Sequence, residues 1–189
     1  MKGRTVTFAA LLALCAAPIA MAADTLEYKG VTFSTRWSRA GLELELRGTG
    51  SSYYMMFWRV SACALYLPAD VPSANAITDV AKRLQIHYFY GITKAQFAKM
   101  TVRGIRKNTT AGEFEMLQPR VEQFNALYED VAKGDEYTLT YVPRAGTELA
   151  LNGRTLGTIQ GSDFAHALFS IWLGEKPFQD ELKRGLLDL

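Results

Sequence analysis

Few side chains in this sequence are of the kinds that metal or nucleophilic chemistry requires. The 189 residues contain two histidines, His87 and His166, and neither has a Cys, His or carboxylate partner at metal-ligand spacing. Cys63 lies between two alanines in an apolar run, a context typical of a small buried side chain rather than a reactive thiol. We therefore expect no metal site and no thiol chemistry.

The glycine-containing motifs are equally poor in chemistry. The strings "GTGSS" and "GTIQGSD" lack the Gly-x-Ser-x-Gly elbow of serine hydrolases, and neither has the lysine or the spacing of a nucleotide-binding loop. A single histidine, tyrosine or methionine could still bind haem against an apolar wall. The Tyr- and Met-rich residues 53–58 therefore keep haem as an alternative, and no other cofactor is indicated.

The first 22 residues have the pattern of a secretory signal peptide. Lys2 and Arg4 precede an apolar run that ends in Ala-Met-Ala at residues 20–22. We expect cleavage after this run, a single domain over residues 23–189, and a periplasmic or secreted protein with no membrane-spanning segment. The mature chain would keep Cys63 and lose Cys15, so no internal disulfide is expected.

The charge of the mature chain excludes one class of partner. Lys and Arg total 21 and Asp and Glu total 19, and the loss of Lys2 and Arg4 leaves equal numbers of both. No Lys/Arg-rich block remains, and nucleic-acid binding depends on such positive charge. We expect a small apolar ligand rather than nucleic acid, and the sequence does not identify a protein partner.

Alternating apolar and polar residues predict antiparallel strands at 26–34, 41–47 and 83–90. In residues 53–67 apolar side chains occupy odd- and even-numbered positions alike, which predicts a strand or strand pair buried on both faces. Three further strands are predicted at 137–142, 147–151 and 155–159, with Asn152-Gly153 as a hairpin turn between the last two.

Helices are predicted between and after these strands. Thr93 should cap a helix ending near residue 107, a second should span 117–133, and Ser162 or Asp163 should cap a largely apolar third helix buried between layers. An amphipathic segment at 178–187 closes the chain. One face of the first helix carries Phe97, Met100, Thr101, Gly104 and Asn108. The order of elements predicts an α+β fold with an antiparallel sheet.

Three segments carry a resemblance to a known family. "VSACALYLP", "KRLQIHYFYGITKAQFAKMTVRGIRKN" and "YTLTYVPRAGTELALNGRTLGTIQGSDFAHALFSIWLGEKP" resemble, in this order, the bacterial exported chalcone isomerase-like proteins. The likeness spans nearly all of residues 23–189. It implies an open-faced β-sandwich, in which a layer of helices covers a large antiparallel sheet and a small-molecule cleft lies between them.

The resemblance also suggests where catalytic groups would lie. The plant enzymes of the family use an arginine, a strand threonine, and a helix tyrosine and asparagine. By motif, the threonine falls on Ser61 and the asparagine on Asn108, whereas the arginine and tyrosine positions read Ser52 and Thr101. A hydroxyl cannot replace the charge of a guanidinium, so whether the chain is an enzyme stays open and a non-catalytic function is favoured.

We therefore predict a non-catalytic periplasmic protein that binds a small apolar or amphipathic ligand, such as a fatty acid, in the cleft. An isomerase-type enzyme, a haem-binding protein and an envelope protein-interaction module are the alternatives. The polar candidates could instead satisfy backbone groups in a filled core, and the sequence leaves the direction of Arg59 open. The predicted ligand-binding residues are Ser61, Thr101, Asn108, Arg59, Tyr54 and Met56.

Overall fold

The strands of the protein form one large sheet and one small one in the computed structural model, which describes residues 24–55 and 57–189. The predicted signal peptide lies outside these residues. The strands are β1 Thr25–Tyr28, β2 Val31–Ser34, β3 Arg36–Arg39, β4 Leu42–Tyr54, β5 Trp58–Leu67, β6 Lys82–Tyr88, β7 Glu136–Val142, β8 Gly146–Leu151 and β9 Arg154–Ile159. Strands β3 to β9 pair antiparallel in chain order as a seven-stranded sheet, and β1 pairs with β2.

Four α-helices accompany the sheet, at α1 Lys94–Asn108, α2 Ala111–Ala126, α3 Ser162–Leu173 and α4 Asp180–Leu187. Their apolar faces share one core with the inner face of the sheet. The predicted α+β fold with a helix-covered antiparallel sheet is confirmed. Within the part of the chain that the structure describes, no helix is long and apolar enough to cross a membrane.

Strand β5 is buried on both faces, as predicted for its central part. Cys63 and Leu65 point into the helix-covered core, whereas Ala64 and Tyr66 pack under the β1–β2 hairpin with Phe33. Cys63 is buried, as predicted, and its burial raises the pKa of the thiol to about 12.

Burial on both faces was also predicted for residues 53–58, and there the prediction is wrong. They form the end of β4, a turn and the start of β5, and the exposed fractions of Tyr54, Phe57 and Trp58 are 60%, 82% and 61%. A hairpin end that extends past the helix layer has nothing to cover it, although its composition matches that of a buried strand.

Two helix starts also differ from the prediction. Helix α2 begins six residues earlier than the predicted residue 117, at Ala111, because Thr110 and Glu113 form a capping box before its first turn. Helix α3 follows Gly161, whose φ of 108° suits glycine, and it has no side-chain cap. Asp163, one of the expected caps, instead accepts hydrogen bonds from Arg120 at 2.7 and 2.5 Å.

Candidate functional site

A cavity of about 900 Å³ lies between the inner face of the sheet and the helices. The lining runs from exposed Trp58 at the surface to fully buried Leu139 and Leu149 in the sheet, so the cavity extends from solvent into the core. Gly104 allows α1 to approach α3 closely at its wall, since a Cβ there would lie 2.8 Å from Cγ1 of Ile171. The volume is in the range typical of small-molecule sites.

Two pairs of neutral hydroxyl groups lie in the cavity wall. The oxygens of Ser52 and Ser61 share a hydrogen bond of 2.7 Å, and those of Thr101 and Tyr128 share one of 2.9 Å. All four residues are buried and line the cavity. Two hydroxyls that bond to each other use only one of their two protons, so each pair has a second proton to donate. Ser61 Oγ also contacts Cys63 Sγ at 3.5 Å.

Aromatic rings form the wall next to these hydroxyls. Phe97 stacks on Tyr128 at 5.2 Å between ring centroids, and Tyr88 and Tyr137 meet Phe97 edge-on at 5.4 and 5.2 Å. Burial is the main cause that raises the pKa of Tyr88, and it also raises that of Tyr128, so both phenols stay protonated at neutral pH. Tyr88 lines the cavity, and its hydroxyl makes no hydrogen bond to any other residue that the structure describes.

Four positive side chains lie at the mouth of the cavity. Lys99, Arg103 and Lys107 are four residues apart and follow one face of α1, and Lys176 lies on the loop after α3. All four are exposed, and the lining contains no Asp or Glu. The mouth is therefore positive while the interior is neutral. Sequence reasoning missed this row, although its regular spacing on a helix with an apolar opposite face was a usable signal.

Three of the predicted binding residues line the cavity: Ser61, Thr101 and Tyr54. Ser61 and Thr101 lie in the wall, and Tyr54 lies at the mouth, where its ring stacks with that of Trp58 at 6.4 Å between centroids. Met56 falls outside the described residues. Ligand contact by these side chains stays a prediction.

Arg59 was a predicted binding residue whose direction the sequence left open, and the structure places it outside the cavity lining. Ser52 pairs with Ser61 and the next residue, Tyr53, pairs with Arg59, so Val60 is an extra residue that forms a bulge in β5. The bulge turns Arg59 to the other face of the sheet, where its guanidinium carbon lies 5.7 Å from the centre of the Phe89 ring.

Asn108 also lies outside the lining, which corrects the expectation that it faces the cleft. Its amide nitrogen donates to the carbonyl oxygens of Gly104 and Lys176 at 3.0 and 2.9 Å, and its oxygen accepts from the Lys176 nitrogen at 3.1 Å. Asn108 therefore ties the end of α1 to the loop after α3. The alternative that the polar candidates satisfy backbone groups holds for this residue.

We expect Asn108→Ala to lower the free energy of unfolding by about 1–3 kcal/mol, because backbone groups of Lys176 lose their partners. Affinity for a cavity ligand should change less than about twofold once the protein is folded. Urea unfolding and ligand titration of one preparation measure both quantities. A large loss of affinity at unchanged stability would contradict this structural role and return Asn108 to the binding site.

The described residues contain no group of three or more His, Cys, Asp or Glu side chains able to hold a metal ion. His87 and His166 both lie outside the cavity lining. His87 packs against Phe89, and Nδ1 of His166 lies 3.2 Å from the Ile77 carbonyl oxygen. Among the described lining residues, the tyrosines and Met100 are those that could bind haem iron, so haem remains an untested alternative.

Comparison with known proteins gives two matches relevant to the site. A family model described as chalcone isomerase-like matches residues 25–188. The crystal structure of a fatty-acid binding protein from Arabidopsis thaliana is similar with a TM-score of 0.65 and 16% sequence identity, covering 87% of this chain and 96% of that chain. At this identity the likeness shows a shared fold. No curated protein sequence matches the chain.

Proposed function

The chain belongs to the chalcone isomerase-like family, and from this premise we propose that it binds a single-chain amphiphile of the fatty-acid class without converting it. The observation that carries the proposal is the cavity itself, with an apolar and neutral interior below a positive mouth. The structurally similar plant protein is a fatty-acid binding protein, which supports the same ligand class.

The charges define the orientation of the ligand. A carboxylate is stabilised more by cations than by neutral donors, and the inner wall offers only neutral hydroxyl groups whereas the mouth offers lysine and arginine. The head group therefore lies at the mouth near Lys99, Arg103 and Lys107, and the hydrocarbon chain extends inward along the aromatic wall. Neutral donors such as Tyr88 can serve a hydroxyl or carbonyl group further along the chain.

Catalysis of the family's isomerase reaction has weaker support in this chain than ligand binding has. Ser52 stands at the position of the family arginine and bonds to Ser61, so no positive charge is available there to stabilise a phenolate. Turnover of a chalcone above the uncatalysed rate, lost in Ser61→Ala, would contradict a non-catalytic function.

We place this function in the periplasm. The support is the pattern of residues 1–22, a basic start followed by an apolar run and a small-residue cleavage signal. Intact-mass measurement of the protein from its own cells tests the proposal, since a chain beginning near residue 23 is expected. A full-length chain that begins at Met1 would contradict export.

The first test of binding is a series of saturated fatty acids of increasing length. We expect affinity to rise by about two- to fourfold for each added methylene, because each buried CH₂ group contributes up to about 0.8 kcal/mol. Calorimetric titration measures the series. The rise should stop when the chain fills the cavity of about 900 Å³.

A dicarboxylic acid of the same length is the matched control. Its second carboxylate would lie in the neutral interior, so we expect at least about tenfold weaker binding than for the monocarboxylic acid. Equal binding of the two acids, or an affinity independent of chain length, would contradict burial of the hydrocarbon chain.

A further inference from the structure

Exposed apolar side chains are concentrated at one end of the molecule. Among the described residues, ten large apolar side chains are exposed, and seven of them lie at the mouth of the cavity or on the turn between β4 and β5. We call this turn with the adjoining residues the hairpin tip; it comprises Tyr54, Met55, Phe57 and Trp58. The remaining three of these seven side chains are Tyr90, Met100 and Phe178, which line the cavity.

The hairpin tip is the most exposed part of this group. Phe57 is 82% exposed and Met55 is 69% exposed, and neither lines the cavity. Tyr54 and Trp58, beside them, do line it. The tip therefore projects from the edge of the mouth, and its two outermost side chains have no contact with the ligand space that would explain their apolar character.

The positive mouth and the hairpin tip belong to the same surface. Lys99, Arg103, Lys107 and Lys176 line the cavity together with Trp58 and Phe178, and no acidic residue is in this lining. Glu175 and Asp180 are neighbours of Lys176 and Phe178 in sequence but lie outside it. Aromatic rings beside lysine and arginine are the combination that an anionic lipid surface attracts, since the rings enter the interface and the cations meet the head groups.

We propose that this protein docks on an anionic lipid bilayer through the hairpin tip and the four cations of the mouth, with the cavity opening toward the membrane. In this position an amphiphile passes between bilayer and cavity without crossing water. Met55 and Phe57 lie outside the cavity lining, and the four cations of the mouth are exposed side chains, so the docking inference does not require that the cavity binds a fatty acid.

Sedimentation with phosphatidylcholine vesicles, prepared with and without phosphatidylglycerol, tests this proposal. We expect the purified protein to bind only the vesicles that contain phosphatidylglycerol, and to lose binding as salt is raised, because the cations are exposed and screened. Equal binding to both kinds of vesicle, or no binding to either, would overturn the proposal. Light scattering should show a monomer without lipid, and a dimer that covers the hairpin tip would also overturn it.

The double variant Met55→Ser/Phe57→Ser separates docking from ligand binding. We expect about tenfold weaker binding to the anionic vesicles, since two apolar side chains no longer enter the interface. Fatty-acid affinity in solution should stay unchanged, because neither residue lines the cavity. Met116→Ser is the control, since Met116 is 72% exposed on α2, belongs neither to the hairpin tip nor to the cavity lining, and should leave vesicle binding intact. Vesicle binding of the double variant equal to that of the unmodified protein would overturn the docking surface.

Discussion

The triple variant Lys99→Gln/Arg103→Gln/Lys107→Gln should bind a fatty-acid anion about tenfold more weakly than the unmodified protein. Each exposed cation contributes about 0.2–1 kcal/mol to a nearby carboxylate, and three of them together give about one order of magnitude in affinity. The loss should shrink as salt is raised. Calorimetric titration with one fatty acid at two salt concentrations measures it.

A neutral ligand and a second variant make this result specific. A fatty alcohol of the same length should bind the triple variant and the unmodified protein equally, because it has no charge to lose. The variant Arg36→Gln/Lys133→Gln/Arg144→Gln removes the same total charge from exposed positions outside the lining and should leave affinity unchanged. Full affinity of the first variant for the anion would show that the carboxylate does not lie at the mouth.

Gly48→Ala should lower the free energy of unfolding by about 2–4 kcal/mol. Helix α4 lies directly on the backbone of β4, and a Cβ on Gly48 would be 2.7 Å from the carbonyl oxygen of Leu186 and closer still to that of Gly185. Backbone atoms cannot turn aside as a side chain can. The helix must therefore move, and with it Leu182 and Leu186, which are fully buried in the main core.

Gly112→Ala is the control for this variant. Gly112 lies near the start of α2 with nothing within 4 Å of its would-be Cβ, and alanine has the higher helix propensity. This change should stabilise the protein by about 0.5–1 kcal/mol. Urea unfolding of both variants gives the comparison. If Gly48→Ala were as stable as the unmodified protein, the close contact between α4 and β4 would be wrong.

The elements that sequence patterns predicted well are those with local causes. Thr93 caps α1 through its own side chain and that of Gln96, and Asn152 and Gly153 both have the positive φ that a tight hairpin turn requires. The apolar third helix follows from its composition alone. Each of these features depends on residues within one or two turns of the chain.

The site was harder to predict because it depends on which residues of each strand the helix layer covers. Tyr54 and Trp58 alternate like core residues, yet they extend past the helices and are exposed. The direction of Arg59 depends on one extra residue, Val60, which reverses the side-chain alternation from that point. Side-chain type does not show where a bulge falls or where the helix layer ends.

The central claim is that the cavity holds a single-chain amphiphile, and native mass spectrometry of the protein purified from its own cells tests it most directly. Our account predicts one bound amphiphile per chain, which denaturing extraction should release and identify as a long-chain acid or a close relative. Removal of this ligand should lower the melting temperature, and addition of a fatty acid should restore it. A ligand-free mass that stays unchanged after incubation with excess fatty acid would contradict the account.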